Sequence, residues 1–101
     1  MSATDQLVNG GTATVLDLSH RLKGTGLRGI IAVDKGDTNV TLQGSLDGTN
    51  FFVIEEFTAD TIKEITLCPY LRVNGAADTS NNDTIGSSTA FVYYNNGAYT
   101  K

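Results

Sequence analysis

The sequence has few of the residues that form disulfides, bind metals or interrupt strands. Its 101 residues include one cysteine, one histidine, one proline and no tryptophan. A single cysteine excludes an intrachain disulfide, and together with one histidine it provides too few ligands for an intrachain zinc site. No apolar run approaches the roughly 20 residues that a membrane-spanning helix requires. We therefore expect neither a disulfide scaffold nor a membrane protein.

Basic residues are also scarce. Seven Lys and Arg residues stand against 11 Asp and Glu residues, which gives a formal net charge of −4 and an isoelectric point near 4.6. Phosphate contacts need clustered Lys and Arg, so we predict no nucleic-acid partner. The first eleven residues lack the basic and hydrophobic regions of a secretory signal, so we expect synthesis in the cytoplasm.

Small polar residues and glycines are abundant. The chain is 40% hydrophobic and 18% charged, which is an ordinary balance for a folded globular domain. Its 11 glycines and its many Thr, Asn and Asp residues favour short strands and tight turns over helices. A chain of this length buries about 60–70% of its unfolded surface in one core. The length of the chain therefore predicts a single domain.

Residues 40–57 contain the strongest local signal, which is that of a β-hairpin. Apolar or small residues alternate with polar ones through residues 40–46, and this period of two predicts a strand with one buried and one solvated face. The dipeptide Asp47-Gly48 then favours a tight turn, because Gly48 can adopt a positive φ. The apolar residues 51–54 begin the second strand.

Five further segments with strand propensity flank this hairpin. They are residues 12–18, 27–34, 61–67, 70–74 and 88–95. Seven short strands at intervals of about 8–12 residues are typical of all-β sandwiches. We predict an all-β fold, a single antiparallel β-sandwich of jelly-roll or Ig-like type, over residues 12–101. Residues 1–11 are predicted to form an N-terminal arm that is either mobile or docked as a strand.

No set of residues predicts a catalytic centre. Ser19 and His20 are adjacent, but neighbouring side chains of an extended chain point apart, and no third group is indicated. Glu55 and Glu56 are also adjacent, so a strand would place them on opposite faces. Either one could act only with a distant carboxylate. We predict a surface or capping role for His20, no catalytic residues and no enzymatic activity.

An Asp- and Asn-rich loop is the candidate metal site. Asp78, Asn81, Asn82 and Asp83 carry the oxygen ligands that Ca²⁺ prefers. Their spacing does not match an EF-hand, and such loops are commonly solvated turns. We predict a turn without a metal and no cofactor, with Ca²⁺ binding as the alternative. Cys68 ends an apolar segment and is predicted to be a buried, unreactive thiol.

The aromatic side chains have two interpretations. One is a stacking platform for a sugar, formed by Tyr70, Tyr93, Tyr94, Tyr99, Phe51 and Phe52. The other places Phe52, Phe57 and Phe91 in the core, and the tyrosines at its rim with their hydroxyl groups in water. The absence of tryptophan favours the second interpretation.

Two short segments resemble small β-sandwich proteins encoded by tailed bacteriophages. They are GSLDGTNF at residues 44–51, where a strand enters a turn, and YLRVN at residues 70–74. Matching features follow in the same order over residues 27–95. The resemblance implies a virion structural protein, in the first place a capsid decoration (cement) protein. The alternative is a tail-associated β-sandwich module that binds a carbohydrate or receptor. The resemblance implies no catalytic residues.

The implied partner of a decoration protein is the major capsid protein, with a second copy of the chain as a further candidate. An extended arm can add a strand to the sheet edge of a neighbour, and Leu7 and Val8 would be its apolar anchors. Small interfaces that are repeated on a lattice gain strength through multivalency. The expected location is the capsid surface of the virion, after synthesis in the host cytoplasm.

Overall fold

The computed structural model describes residues 2–8, 14–19, 28–80 and 83–95, which form eight strands in two antiparallel sheets. The strands are β1 Ser2–Leu7, β2 Leu16–Asp17, β3 Arg28–Asp34, β4 Val40–Ser45, β5 Phe51–Phe57, β6 Thr61–Thr66, β7 Tyr70–Asn74 and β8 Thr89–Asn95. Sheet I has the strand order β1-β8-β3-β6, and sheet II has the order β2-β7-β4-β5. The predicted antiparallel β-sandwich is thus confirmed.

The strand pairing is nested. β1 pairs with β8, β2 with β7, β3 with β6 and β4 with β5, and all four pairs are antiparallel. The first and last strands therefore lie together, and the predicted β4–β5 hairpin is the innermost of the four pairs. This is the arrangement of an eight-stranded jelly roll rather than that of a seven-stranded Ig-like sandwich. Of the two predicted types, the jelly roll is the one observed.

One hydrophobic core fills the space between the sheets. Sheet I contributes Leu7, Ile31, Val33, Ile65, Ala90, Val92 and Tyr94 to this core. Sheet II contributes Val40, Leu42, Phe57, Leu71 and Val73, and the connections add Leu18, Leu67 and Ile85. Core and outer residues alternate along the strands because successive side chains point to opposite faces. Each sheet is left with an outer face, and the two outer faces differ sharply.

The β4–β5 turn forms as its sequence predicts. Gly48 has a φ of 80°, which is unfavourable for residues with a side chain. The Asp47 carboxylate accepts the backbone N–H groups of Thr49 at 2.8 Å and Asn50 at 2.9 Å. These hydrogen bonds, that of the Asn50 N–H most strongly, hold the pKa of Asp47 well below its ordinary value. Further along, Ile54 is an extra residue in the pairing with β4, a β-bulge that bends the edge strand β5.

The predicted N-terminal arm is largely part of the sandwich. Residues 2–7 form β1, which pairs with β8 along its whole length and raises the number of strands from the predicted seven to eight. Leu7 is only 1% exposed, because β1 turns this side chain into the core. Asp5 accepts a hydrogen bond from the hydroxyl group of the buried Tyr94. Residues 9–11 of the predicted arm lie outside the described residues.

The remaining strands agree closely with the sequence prediction, with one exception. β3, β4, β5, β6, β7 and β8 begin and end within one residue of the predicted bounds. β2 covers only Leu16–Asp17 where a strand over residues 12–18 was predicted, and residues 12–13 lie outside the described part of the chain.

Candidate functional site

Apolar side chains lie next to each other on the outer face of sheet I. Ile30 pairs with Tyr93, and Ala32 lies between Phe91 and Ile62. Paired residues project to the same side of a sheet, so these five side chains form one surface, called here the apolar face. Ile62 is 76% exposed, Tyr93 48% and Ile30 45%, whereas Ala32 and Phe91 are half-buried.

Polar residues surround the apolar face. On β1, Thr4 pairs with Tyr93 on the adjacent strand. On β6, Glu64 pairs with Ile30 and forms an ion pair with Arg28, with 3.1 Å between Nη2 and Oε1. Both partners of this ion pair are more than half exposed, so it contributes at most about 1 kcal/mol to stability. A contiguous exposed apolar patch with a polar rim is typical of an interaction site.

A groove of about 570 Å³ opens at one end of the apolar face. It lies where β3 ends and where β6 and β8 begin. Its lining combines apolar side chains, hydroxyl groups and carboxylates, and consists of Ala32, Val33, Asp34, Asp60, Thr61, Ile62, Thr89 and Phe91. No Lys, Arg or His residue is among these described lining residues. The volume is within the range of sites that hold small ligands or side chains.

Hydrogen bonds fix the loops beside the groove. The backbone N–H of Lys35 donates to Asp60 Oδ1 at 2.8 Å, and that of Gly36 donates to Ser88 Oγ at 2.8 Å. A Cβ atom at Gly36 would lie 2.0 Å from Ser87 Oγ, so the close approach of these loops requires glycine. The end of β3 is thereby tied to residues that precede β6 and β8, and the groove is preorganised.

The part of the outer face of sheet II that β4 and β7 form is covered by the chain itself, whereas Val53 on β5, which pairs with Gln43, is 42% exposed. Residues 75–80, called here the cover, follow β7 and lie over this face. The Gln43 side-chain amide donates to the carbonyl oxygen of Asp78, and Arg72 Nη2 donates to that of Thr79 at 2.8 Å. Arg72 Nε also donates to Gln43 Oε1 at 2.8 Å. These hydrogen bonds connect β4, β7 and the cover in one polar network.

The polar side of β4 is therefore buried, and the prediction of a solvated face there is wrong. Thr41 and Gln43 are fully buried and Ser45 nearly so, although each is polar. The alternation within β4 could not reveal that a segment more than 30 residues away lies over it. Arg72 adds a cation–π contact, with its guanidinium 3.9 Å from the centroid of the Phe51 ring. Thr41 Oγ1 has no hydrogen-bond partner among the described residues.

The candidate calcium loop is this cover together with the residues that follow it. Asn81 and Asn82 lie outside the described residues. The Asp78 carboxylate accepts the hydroxyl of Ser80 at 2.6 Å and its backbone N–H at 3.1 Å. The Ser80 hydroxyl, followed by its N–H, lowers the pKa of Asp78. Within the described residues, no group of three or more His, Cys, Asp or Glu side chains could hold a metal ion.

The two predicted anchor residues are placed differently from each other. Leu7 lies in the core and is not accessible to a partner, whereas Val8 is partly exposed. His20 lies outside the described residues. Its neighbour Ser19 donates both its N–H and its hydroxyl to Asp17 Oδ1, at 2.9 and 2.6 Å, in a local turn.

The structure does not bring Glu55 and Glu56 into a common site. Glu55 forms an ion pair with Lys63 at 2.7 Å, which joins the edge strands of the two sheets. Glu56 accepts the side-chain amide of Asn39 at 3.4 Å. Cys68 is half-buried and packs against the core, and this burial raises the pKa of its thiol.

The aromatic residues divide differently from the prediction. Phe57 lies in the core, but Phe52 is mostly exposed, because it pairs with Gly44 near the end of sheet II. Tyr94 is buried rather than at the rim, since it shares the inner face of β8 with core residues. Tyr93 points outward and is available for contacts. Tyr99 lies outside the described part of the chain.

Sequence reasoning missed the apolar face. Ile62 alternates in step with Glu64 and Thr66, so the three side chains lie on the same, mostly polar side of β6. An apolar residue at this position of a polar side was the one sign of the apolar face in the sequence of β6. The proximity of Ile62 to Phe91 could not be read from the sequence. It depends on the register of β3 with both β6 and β8.

In the described ranges, no helix is long and apolar enough to cross a membrane. No protein-family model, curated protein or solved structure matches the chain. The apolar face and the groove are the features of the described residues that bear on function.

Proposed function

We propose that the chain is a non-enzymatic structural protein of a bacteriophage virion that decorates the outside of the capsid. The observation that carries this proposal is the apolar face. It exposes Ile30, Ile62 and Tyr93 together on a regular sheet, and such a patch fits a protein partner. The virion context comes from the resemblance of residues 44–51 and 70–74 to small phage β-sandwich proteins.

The size of the face suits a contact that is repeated many times. Fully covering an exposed Ile side chain contributes about 1.5–3 kcal/mol, and less is gained at Ile30 and Tyr93, which are already about half covered. Association also costs several kcal/mol of lost translational and rotational freedom. A single contact of this kind is therefore modest. On a capsid lattice, contacts between neighbouring copies of the chain would add to it.

The first test is the copy number of the protein in purified particles from the host that carries its gene, measured by quantitative mass spectrometry. Hundreds of copies per particle are expected, on the order of the subunits in a closed shell that repeats one interface. A handful of copies would place the protein in the tail. Its absence from the particles would contradict the proposal.

The second test is cosedimentation of the purified protein with capsids that lack it. Ile62→Gln places a polar amide in the apolar face, and we expect binding to fall about tenfold or more, since burying a polar group without a hydrogen-bond partner is costly. Leu46→Gln is the matched control, because Leu46 is 81% exposed but lies in the β4–β5 turn of sheet II. Equal binding by both variants and the wild type would remove the apolar face from the proposal.

The alternative function is a tail-associated module that binds a carbohydrate or receptor. The exposed side chain of Tyr93, which pairs with Ile30 on the apolar face, favours it, because an aromatic surface next to polar groups can hold a sugar. Glycan-array binding that is lost in Tyr93→Ala would support this function. Tyr94, which is buried, is not part of it.

A further inference from the structure

The groove is an apolar site with charges of one sign. Ile62 and Phe91 contribute its apolar walls, and Asp34 and Asp60 are the charged residues of its lining. Carboxylates repel anionic ligands, so phosphates and acidic peptides do not fit it. Apolar walls together with carboxylates suit a ligand that has a positively charged group attached to, or next to, an apolar group.

The two carboxylates have unused capacity for hydrogen bonds. Asp34 is exposed, and its carboxylate makes no hydrogen bond or ion pair with any described residue. Asp60 accepts the backbone N–H of Lys35 through Oδ1, and an ionised carboxylate can accept further bonds. The nearest basic side chain in sequence is that of Lys35, whose Nζ is 3.4 Å from the carbonyl oxygen of Gly36.

We infer that the groove binds a Lys or Arg side chain that a partner protein presents on an extended segment, with an adjacent apolar side chain against Ile62 and Phe91. The inference rests on the proposed function, in which the partner is the capsid. Asp34 and Asp60 accept hydrogen bonds from the cation, and such charge-assisted bonds are stronger than those between neutral groups. The fixed loops beside the groove reduce the entropy lost on binding.

The inference can be tested without a capsid by NMR titration of the isotopically labelled full chain with Nα-acetyl-arginine amide. We expect chemical-shift changes at Asp34, Asp60, Ile62 and Thr89, and about tenfold weaker binding by the double variant Asp34→Asn/Asp60→Asn. Each asparagine keeps an acceptor oxygen, so the hydrogen bond from Lys35 to residue 60 is retained. Glu56→Gln, which removes a charge from sheet II, should bind like the wild type.

Two results of this titration would overturn the inference. One is the absence of shift changes in the groove with the arginine amide. The other is a response of the same residues to methyl glucoside but not to the arginine amide, which would assign the groove to a sugar. Sodium chloride at matched concentration controls for ionic strength.

The same double variant is then tested for capsid binding at about 0.05 M and about 0.3 M NaCl, where screening differs strongly. We expect weaker binding than that of the wild type and a smaller loss on addition of salt. If the double variant binds the capsid as well as the wild type at both salt concentrations, the inference is overturned and the proposed function is left intact. A wild type that binds the arginine amide but no capsid would instead contradict the proposed function alone.

Discussion

The outer faces of the two sheets differ in which side chains are buried and which are exposed. On sheet II, polar side chains such as Gln43 and Asn74 are fully buried under the cover, where the carbonyl oxygen of Asp78 accepts a hydrogen bond from each. On sheet I, apolar side chains such as Ile62 and Tyr93 remain exposed. Polar groups are thus inside and apolar groups outside, the reverse of what a solvated sheet face normally shows.

The difference separates a face that completes the fold from a face that is free to bind. Polar side chains can be buried without loss only where each finds a hydrogen-bond partner, and the cover provides such partners within the same chain. The apolar face needs no such partners. Any surface of matching shape can cover it, and in the described residues no segment of the chain does so.

The largest effect is expected on the covered face, from Gln43→Ala. This change leaves a cavity and removes a hydrogen-bond partner from both Arg72 and the cover. We expect the free energy of unfolding to fall by about 2–4 kcal/mol, measured by urea denaturation. Gln6→Ala is the matched control, because Gln6 is exposed on sheet I and pairs with Phe91. A loss of less than about 0.5 kcal/mol in Gln43→Ala would show that the cover adds little to the fold.

A smaller effect of opposite sign is expected from Thr41→Val. Thr41 is fully buried, and its hydroxyl has no partner among the described residues, so the isosteric methyl group relieves a desolvation cost. We expect a gain of about 1 kcal/mol in the free energy of unfolding. The same substitution at the exposed Thr4, on sheet I, should change stability by less than about 0.5 kcal/mol. A clear loss of stability in Thr41→Val would mean that the hydroxyl is hydrogen-bonded in solution.

A feature of the fold could be predicted from the sequence when the residues that determine it are close together in the chain. The β4–β5 hairpin depends on alternation and on Asp47-Gly48, which are local, and it was predicted correctly. Strand β1 has little alternation of its own, and it exists because it pairs with β8, about 90 positions later. The state of each outer face also depends on non-local relations, namely the position of the cover over β4 and the register of β3 with its two neighbours. Neither relation has a local signature.

The smallest effect on stability is expected on the apolar face, from Ile62→Thr. Threonine keeps the β-branched side chain that strands favour, and Ile62 is mostly exposed, so the free energy of unfolding should change by less than about 0.5 kcal/mol. Ile65→Thr, three residues along the same strand but in the core, should instead cost about 2–4 kcal/mol. Capsid binding should respond to the Ile62 change even though the fold does not. If Ile62→Thr destabilised the protein as much as Ile65→Thr, the apolar face would be part of the folded core, and the contrast between the two outer faces would fail.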